Sequence, residues 1–391
     1  MDRETLNFPL KLAAKSHQLP EFKSLVSGRT TTRHPSLYKS DPNSIDTLND
    51  TYERAITLMI AIRSHCKYTP EEPLSQAIQT ELINLIYGSN FIEYAGADYT
   101  TTTAICTKLF NEYVSPEEIL NTLQTTTTTT TTDENTSGTA ITTTAVDKKG
   151  GMEVIQHAKA LTYFLQKFYI EEEPLTESLI LQTHRILCEG TTHSDGTPWQ
   201  EWAGIYRTYE IAASSISPTN PQRLQKSIFI RASAVPKYMT DMVEDFESLT
   251  GEAEIGNFDV IDPFEIAAWL CTRILLSGVL MRYTGLVACI GDDGETAAGG
   301  GRDEYLEIAN KANKVFHDED GEVDVGAQTS HVKLTELVVR KVLECAERLL
   351  EVVIKADDVE GGVKGFGGGL NNIVWSFIRG VDASFKWSWG G

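Results

Sequence analysis

The stretch DPFEIAAWLCTRILLSG, residues 262–278, carries the clearest structural signal in the sequence. Its first four residues offer an Asp cap, a Pro suited to the first helical position and a Glu that completes an arrangement like a capping box. Apolar residues then follow at helical spacing, and Gly285 is a stop signal. The pattern predicts one continuous helix over residues 263–283, or a helix with a short strained break near Arg273.

The same spacing of apolar residues recurs on both sides of this stretch. It predicts helices over residues 51–62, 73–94, 152–169, 175–189, 236–249, 302–315 and 331–355. Short extended pieces lie between them, and residues 227–231 predict a small β-hairpin. The sequence lacks the regular alternation of strands and helices that a parallel sheet requires. The predicted fold class is therefore mostly α.

Composition separates the helical part from segments without a hydrophobic period. Polar, Pro-containing residues 1–50 predict a flexible lead-in, and an unbroken run of threonines at 125–132 predicts a disordered insert. The predicted organisation is a lead-in at 1–50, an N-terminal helical region at 51–120, the Thr-rich insert at 121–150, a helical core at 151–315, a C-terminal helix at 316–360 and a Gly-rich tail at 361–391.

Charge and cysteine usage limit the function classes. Lys plus Arg is 34 and Asp plus Glu is 55, which gives a net charge of −21. Such a surface repels phosphate backbones, so we expect no nucleic-acid partner. No apolar run reaches the length of a membrane span, and the charged N-terminus does not resemble a signal peptide. The six cysteines form no CxxC pair, which is typical of reduced thiols in an intracellular protein of the cytoplasm or nucleus.

Several strings, taken in order, resemble the Fic (Fido-fold) family of AMP transferases, most closely its fungal members. They are YGSNFIE at 87–93, EVIQHA at 153–158, THRIL at 183–187, AGIYR at 203–207, SAVP at 233–236 and the DP helix start at 262–263. The resemblance covers residues 80–96 and 151–315. It implies a Fic-like helical core with a small β-hairpin flap and helical N-terminal and C-terminal extensions. It also implies ATP-dependent adenylylation of Ser, Thr or Tyr hydroxyls, with ATP and Mg²⁺ as cofactors.

The identifying motif of that family, H-x-F-x-[DE]-G-N-G-R-x-x-R, is absent. None of the eight histidines is followed by Pro-Phe or by Gly-Asn-Gly. The motif would supply a general base and a phosphate cradle between two core helices. Its absence, through exon skipping, a gene-model error or true decay, predicts that this chain transfers little or no AMP. We therefore assign no catalytic residue and no metal ligand, and the sequence supports no bound ATP or Mg²⁺.

Arg273 is either a remnant of the motif's final arginine, which would contact phosphate, or the last part of the upstream helix. Two further readings of the chain stay open. One is a non-catalytic protein-binding module that uses the flap groove, and the other is an unrelated helical scaffold. The sequence does not indicate the oligomeric state.

The resemblance assigns an inhibitory role to Ser89 and Glu93, which match the Ser-x-x-x-Glu core of the family's inhibitory helix. Tyr94 stands where the family prefers Gly or Asn. The plain alternative is that Ser89 and Glu93 form an exposed polar helix face.

The resemblance also places site walls at Gly204, Tyr206 and Arg207. Ser233, Val235 and Pro236 fall in the implied flap, which would align a target polypeptide by strand addition. The plain alternative for the flap is a surface turn. His157 and His184 lie among apolar residues and are interpreted as core histidines. The run Gly299–Arg302 is interpreted as a flexible insert, because a lone Gly-rich run is a weak phosphate signal.

Overall fold

The computed structural model describes residues 5–18, 51–52, 54–62, 66, 69–126, 147–191, 196–217, 220–228, 230–250, 263–270, 273–291, 302–309 and 325–359. The helices are α1 (Phe8–Gln18), α2 (Glu71–Ile92), α3 (Tyr99–Asn111), α4 (Pro116–Thr126), α5 (Lys148–Leu165), α6 (Glu177–Cys188), α7 (Val235–Thr250), α8 (Pro263–Leu270), α9 (Arg273–Thr284) and α10 (Val325–Val359). Residues 54–62 and 302–309 are also helical. The mostly α fold class is confirmed.

Two helices organise the core. The helix α2 packs against α1, α3, α5 and α10, and α5 packs against α3, α4, α6 and α9. The stripe predicted for α2, which begins with Leu74 and Ile78, is buried as expected. The helix α5 ends in a π-helical turn, Gln166–Ile170, whose Phe168 is fully buried. The Nη1 atom of Arg282 donates to the carbonyl oxygens of Phe168 and Glu173, both at 3.0 Å, and so fixes this turn.

The N-terminal segment differs from its prediction as a flexible lead-in. Residues 8–18 form α1, and Phe8, Leu12 and Ala13 are fully buried. The backbone N–H of Asn7 donates to the carbonyl of Phe110 at 2.7 Å. The reason is the spacing of the apolar residues, which gives this short helix one apolar face to bury against α2. The rest of residues 1–50 lies outside the described residues.

The bounds predicted for the Thr-rich insert are wrong at both ends. Helix α4 continues to Thr126, because its buried residues Ile119 and Leu120 pack in the core. Helix α5 begins at Lys148, where the Asp147 carboxylate caps it by accepting from the N–H groups of Lys149 and Gly150. The intervening residues 127–146, on which the prediction of disorder falls, lie outside the described residues.

The stretch from Pro263 to Thr284 forms two helices. Helix α8 packs against α9 and against α10, whereas the two ends of one straight helix cannot lie side by side. The prediction of a continuous helix is therefore wrong, and the alternative of a break near Arg273 describes the chain. Residues 271–272, which connect α8 to α9, lie outside the described residues. Residues 274–281 of α9 are all buried, and Gly285, with φ of 75°, follows the helix as predicted.

Two antiparallel strands, β1 (Ala212–Ser217) and β2 (Asn220–Ile228), pair with Ala212 opposite Ile228. The residue pattern placed the hairpin further along the chain, at 227–231, and the resemblance placed the flap at 227–236, so both positions are wrong. Ser233 lies in a 3₁₀ turn, and Val235 and Pro236 begin α7. The physical reason is that Pro has no N–H to donate to a strand ladder but suits the first turn of a helix. The role of the hairpin as a flap stays a prediction.

The C-terminal helix α10 is longer than the predicted pattern. It packs against both α8 and α2, and Arg348 forms a bidentate ion pair with Glu81 of α2 at 2.6 and 2.8 Å. Only 5% of the Glu81 side chain is exposed. Residues 360–391, including the predicted tail, lie outside the described residues. Among the helices described, none has the length and apolar character needed to cross a membrane.

The cysteines of the described residues are buried thiols: Cys66, Cys106, Cys188, Cys289 and Cys345. Burial raises the pKa of the Cys106 thiol and that of the Cys188 thiol to about 12. Burial also raises the pKa of Cys345, and the Glu81 carboxylate raises it further. The thiols of Cys106, Cys188 and Cys345 are therefore protonated at neutral pH, which makes them poor nucleophiles.

Candidate functional site

A cleft of about 240 Å³ lies where four helices meet. Its lining residues come from the end of α2 and the turn after it, from α5, from α6 and from the start of α9. They are Ser89, Asn90, Glu93, Ala95, Glu153, His157, Leu187 and Ile274. Two strings that resemble the Fic family, at 87–93 and 153–158, thus supply most of one cleft.

The turn after α2 is fixed by a close approach to α5. Tyr94 and Gly96 both have positive φ values, 54° and 78°, which end the helix and reverse the chain. The Gly96 N–H donates to the Glu153 carboxylate at 2.8 Å. A Cβ on Gly150 would lie 2.1 Å from the Gly96 carbonyl oxygen. Only glycine at 150 lets the two backbones approach so closely, and this contact sets the shape of the cleft.

Asn90 connects the two helices inside the cleft. Its side-chain carbonyl lies 2.8 Å from His157 Nδ1, and its backbone carbonyl accepts from the N–H groups of Glu93 and Ala95 at 3.0 Å. Since an amide oxygen only accepts, His157 donates through Nδ1. His157 is buried and hydrogen-bonded, as its interpretation as a core histidine requires, but it also lines the cleft. The Asn90 Nδ2 group is buried and has no hydrogen-bond partner.

Ser89 and Glu93, the residues to which the resemblance assigns an inhibitory role, both line this cleft. Ser89 is only 3% exposed, so the alternative of an exposed polar face is wrong for Ser89. Glu93 is exposed, at the end of α2. Arg273 is the first residue of α9 and precedes Ile274 of the cleft, but its side chain lies outside the described residues. The inhibitory role stays a prediction.

The predicted site walls form a separate cluster that does not line the cleft. His184 Nδ1 accepts from the Gly204 N–H at 3.0 Å, and Gly204 has φ of 70°. The Tyr206 hydroxyl donates to the Glu177 carboxylate, which also accepts from Thr240 at 2.6 Å. These hydrogen bonds lower the pKa of Glu177. The cluster joins α6 to α7.

Arg207 closes the base of the β1–β2 pair. Its Nη1 donates to the Tyr209 carbonyl at 2.9 Å and its Nη2 donates to the Ile230 carbonyl. These two carbonyls lie before β1 and after β2. Arg207 therefore has a structural role at the β1–β2 pair and is not among the residues that line the cleft. Its assignment to a site wall stays a prediction.

The environment of His184 predicts a pH-dependent loss of stability. Burial lowers the pKa of His184 below its ordinary value of 6.5, and its Nδ1 must stay unprotonated to accept from Gly204. Below pH 6.5 the unfolded state therefore binds more protons than the folded state. The stability that neutral His184 provides is present above that pH and is lost below it. Between about pH 7.5 and about pH 5.5, we expect the wild type to lose more unfolding free energy than His184→Asn, which keeps an acceptor but does not titrate. Urea titrations of both proteins at each pH measure this difference, and equal losses would contradict it.

Sequence reasoning missed three residues around the cleft. Asn90 and Glu153 lie within the matching strings, but no local pattern marks their role, because their contacts depend on the approach of α2 to α5. Arg302 was grouped with the flexible Gly-rich run, yet its Nε donates to the Ile92 carbonyl at 3.1 Å and its guanidinium lies 3.9 Å from the Tyr94 ring centre. No local pattern in the sequence signals that contact. Gly299, Gly300 and Gly301 lie outside the described residues.

The expectation that this chain holds neither ATP nor Mg²⁺ stays a prediction. Within the described part of the chain, no three His, Cys, Asp or Glu side chains lie close enough to hold a metal ion. Among the described residues, the charged side chains that line the cleft are the carboxylates Glu93 and Glu153, which repel phosphate oxygens. No Gly-Asn-Gly sequence is present to cradle phosphates.

No family model and no curated protein matches the chain. Among solved structures, it is similar to a Fic domain-containing signaling protein from Bacteroides thetaiotaomicron, with 16% identity and a TM-score of 0.49, over 79% of this chain and 98% of that one. It is also similar to a Fic family protein from Desulfovibrio desulfuricans G20, with 16% identity and a TM-score of 0.39, over 83% of each chain. Because both TM-scores are below 0.5, the family assignment is a proposal.

Proposed function

We propose that this chain is a Fic-type protein that has lost AMP transfer. The assignment to the family is supported by the ordered strings in the sequence and by the meeting of two of them, 87–93 and 153–158, at one cleft. The loss of activity is supported by a single observation. Helix α8 ends at Leu270 and α9 begins at Arg273, so only two residues join the helices between which the family's catalytic loop belongs.

A two-residue connection cannot carry the chemistry of that loop. AMP transfer needs a base to take the proton of the target hydroxyl, and donors to stabilise the charge that develops on phosphate. The loop would supply both. His157, the histidine of the cleft, donates its Nδ1 proton to Asn90 and is held between two helices. A single histidine does not replace the phosphate cradle of the motif.

The test is an AMP-transfer assay on the full chain with ATP labelled at the α-phosphate, Mg²⁺ and a mixture of candidate protein acceptors. We expect no label on the chain or on any acceptor. The Glu93→Gly variant, which would release inhibition in an intact enzyme, should also transfer none. ATP-dependent label with either protein would contradict the proposal.

Sequencing of the transcript between Thr272 and Ile274 is the matched genetic test. An in-frame motif there would support an active AMP transferase and contradict the loss of activity.

A non-catalytic role in binding an extended polypeptide is a second candidate. It is supported by β1 and β2, each of which has one edge without a sheet partner among the described residues. Ile205 and Tyr209, which precede β1, are 52% and 51% exposed. A photo-crosslinking residue at Ser214 of β1 tests this candidate. It predicts crosslinks to one partner that do not change when ATP is added, whereas crosslinks that need ATP would contradict it.

A further inference from the structure

A hydrogen bond to the ring of His184 holds the segment 203–207 against α6. The Gly204 N–H donates to His184 Nδ1 at 3.0 Å. A backbone N–H can only donate, so this ring nitrogen is an unprotonated acceptor and the ring is neutral. Protonation of Nδ1 would set two N–H groups against each other and break the hydrogen bond. The contact therefore depends on the neutral form of His184.

The segment packs closely on α6 at this position. A Cβ on Gly204 would lie 2.8 Å from the Leu181 carbonyl oxygen and 2.9 Å from the Arg185 Cβ. The ring of His184 also contacts the Trp202 ring, with centroids 6.1 Å apart. If His184 no longer accepts, the Gly204 N–H is left against the helix without this acceptor, which is costly. Loss of the hydrogen bond therefore favours movement of the segment away from α6.

The same segment sets the base of the β1–β2 pair. Arg207 donates to the carbonyls of Tyr209 and Ile230, which precede β1 and follow β2. Only residues 205 and 206 separate Gly204 from Arg207 in the sequence. A displacement that begins at Gly204 therefore reaches the residue that holds the two ends of the hairpin together.

The charged groups near His184 in the fold are engaged with other partners. On α6, the Glu177 carboxylate accepts from two hydroxyl groups, and the Arg185 guanidinium lies 5.9 Å from the Trp199 ring centre. In the segment itself, Arg207 donates to two backbone carbonyls. These contacts involve no group that titrates near neutral pH, so they persist when His184 takes a proton.

The helices α5 and α7 pack against α6 and carry further charged groups. Glu153 and His157 of α5 are hydrogen-bonded to the turn after α2 and to α2. Lys237 and Asp241 of α7 pair with each other. Among the described residues, no charged group contributes to the lowered pKa of His184, whose cause is burial. The response of His184 to pH is therefore set by its burial and by its hydrogen bond.

We propose that His184 is a pH-sensitive switch that controls the base of the β1–β2 hairpin. While the ring is neutral, residues 203–207 stay on α6 and Arg207 holds the two strand ends. When the ring takes a proton, the Gly204 N–H loses its acceptor, the segment moves away from α6 and the base of the hairpin loosens. The switch acts on one segment rather than on the whole chain, and it depends neither on AMP transfer nor on polypeptide binding.

Acid is expected to populate the open form of this switch. A released histidine ring has the ordinary pKa of 6.5, whereas burial lowers the pKa of the ring in the closed form. Below pH 6.5 the open form therefore binds more protons than the closed form, so the closed form is favoured above that pH and is lost below it. At about pH 5.5, the ratio of open to closed form should rise by up to about tenfold.

The test is amide hydrogen exchange of the full chain, followed by mass spectrometry of its peptides at about pH 7.5 and about pH 5.5. Each rate is divided by the intrinsic exchange rate at that pH, so that the ratio reports opening of the structure. In the wild type, we expect peptides that cover residues 199–207 and the two strands to lose up to about tenfold of their protection at the lower pH. Peptides from α2 and α10 should lose less.

Three variants identify the group that responds. His184→Asn keeps an acceptor for the Gly204 N–H but does not titrate, so its segment should keep its protection at the lower pH. His17→Asn is the matched control in α1, where the His17 side chain is 24% exposed, and it should respond as the wild type does. Gly204→Ala should open the segment without acid, because its Cβ would meet α6, and should lower the protection of both strands at neutral pH.

Unchanged protection of residues 199–207 in the wild type at the lower pH would overturn the proposal. So would an equal loss in α2 and α10, because the response would then be unfolding of the whole chain. The same loss in His184→Asn would show that another group titrates. Full protection of the strands in Gly204→Ala at neutral pH would show that the segment does not hold the base of the hairpin.

Discussion

Replacing Arg348 with methionine is expected to lower the free energy of unfolding by about 3–5 kcal/mol, because it leaves the buried Glu81 carboxylate without its partner. Glu81 is 5% exposed, and Arg348 Nε and Nη2 donate to its two oxygens at 2.6 and 2.8 Å. This pair joins α10 to α2, so the loss should appear as a lower urea midpoint for the whole chain.

The double variant Glu81→Leu with Arg348→Met separates the charge effect from the loss of packing. Removal of both partners eliminates the uncompensated charge, so most of the lost free energy should return. Lys355→Met is a control on the same helix. Lys355 and Glu351 form an exposed pair, with side chains 69% and 48% exposed, and its loss should change stability by less than about 0.5 kcal/mol. A double variant as unstable as Arg348→Met would contradict this account.

The second large effect is expected at Gly278, where alanine should destabilise the chain by about 1–3 kcal/mol. A Cβ at this position would lie 2.2 Å from Cε1 of Phe164 and 2.9 Å from its Cδ1. Phe164 is fully buried and stacks on Phe168 at 5.3 Å, so its ring has no room to move away. Urea unfolding of the full chain measures the change. If Gly278→Ala folds as stably as the wild type, α5 and α9 are not in contact there.

The neighbouring residue supplies the control. Ser277 is fully buried in the same helix, and its hydroxyl has no hydrogen-bond partner. Ser277→Ala should therefore cause no loss of stability, and a gain of up to about 1 kcal/mol is expected from removing the unpaired group. The double variant Gly278→Ala with Phe164→Leu should cost less than the sum of the two single changes, because the smaller side chain makes room for the new methyl group.

Local patterns were sufficient where one face of a helix is apolar. The spacing of Leu74, Ile78 and Leu82 predicted the face of α2 that is buried, and predicted its bounds within about two residues. The helix α1 was missed because Phe8 and Leu12 are too few to distinguish a packed helix from a polar lead-in. Its stability depends on α2, which supplies the opposing surface.

Where a helix is apolar on all sides, the sequence pattern does not indicate where the chain turns. Residues 274–281 of α9 are buried all round, so their periodicity does not reveal that the chain turns before Arg273. The candidate site was predictable only in part. Ser89 and Glu93 came from a resemblance, whereas Asn90 and Glu153 acquire their contacts from the approach of Gly96 to Gly150, which lie 54 positions apart in the sequence.

The buried cysteines allow the chain to report on its own motions without any substitution. Each thiol lies in a different part of the core: Cys106 in α3, Cys188 in α6, Cys289 after α9 and Cys345 in α10. A thiol that is buried and protonated reacts with an alkylating reagent only when its element opens to solvent. Peptide-resolved alkylation rates in the native protein therefore rank these parts of the core by the free energy of their local opening.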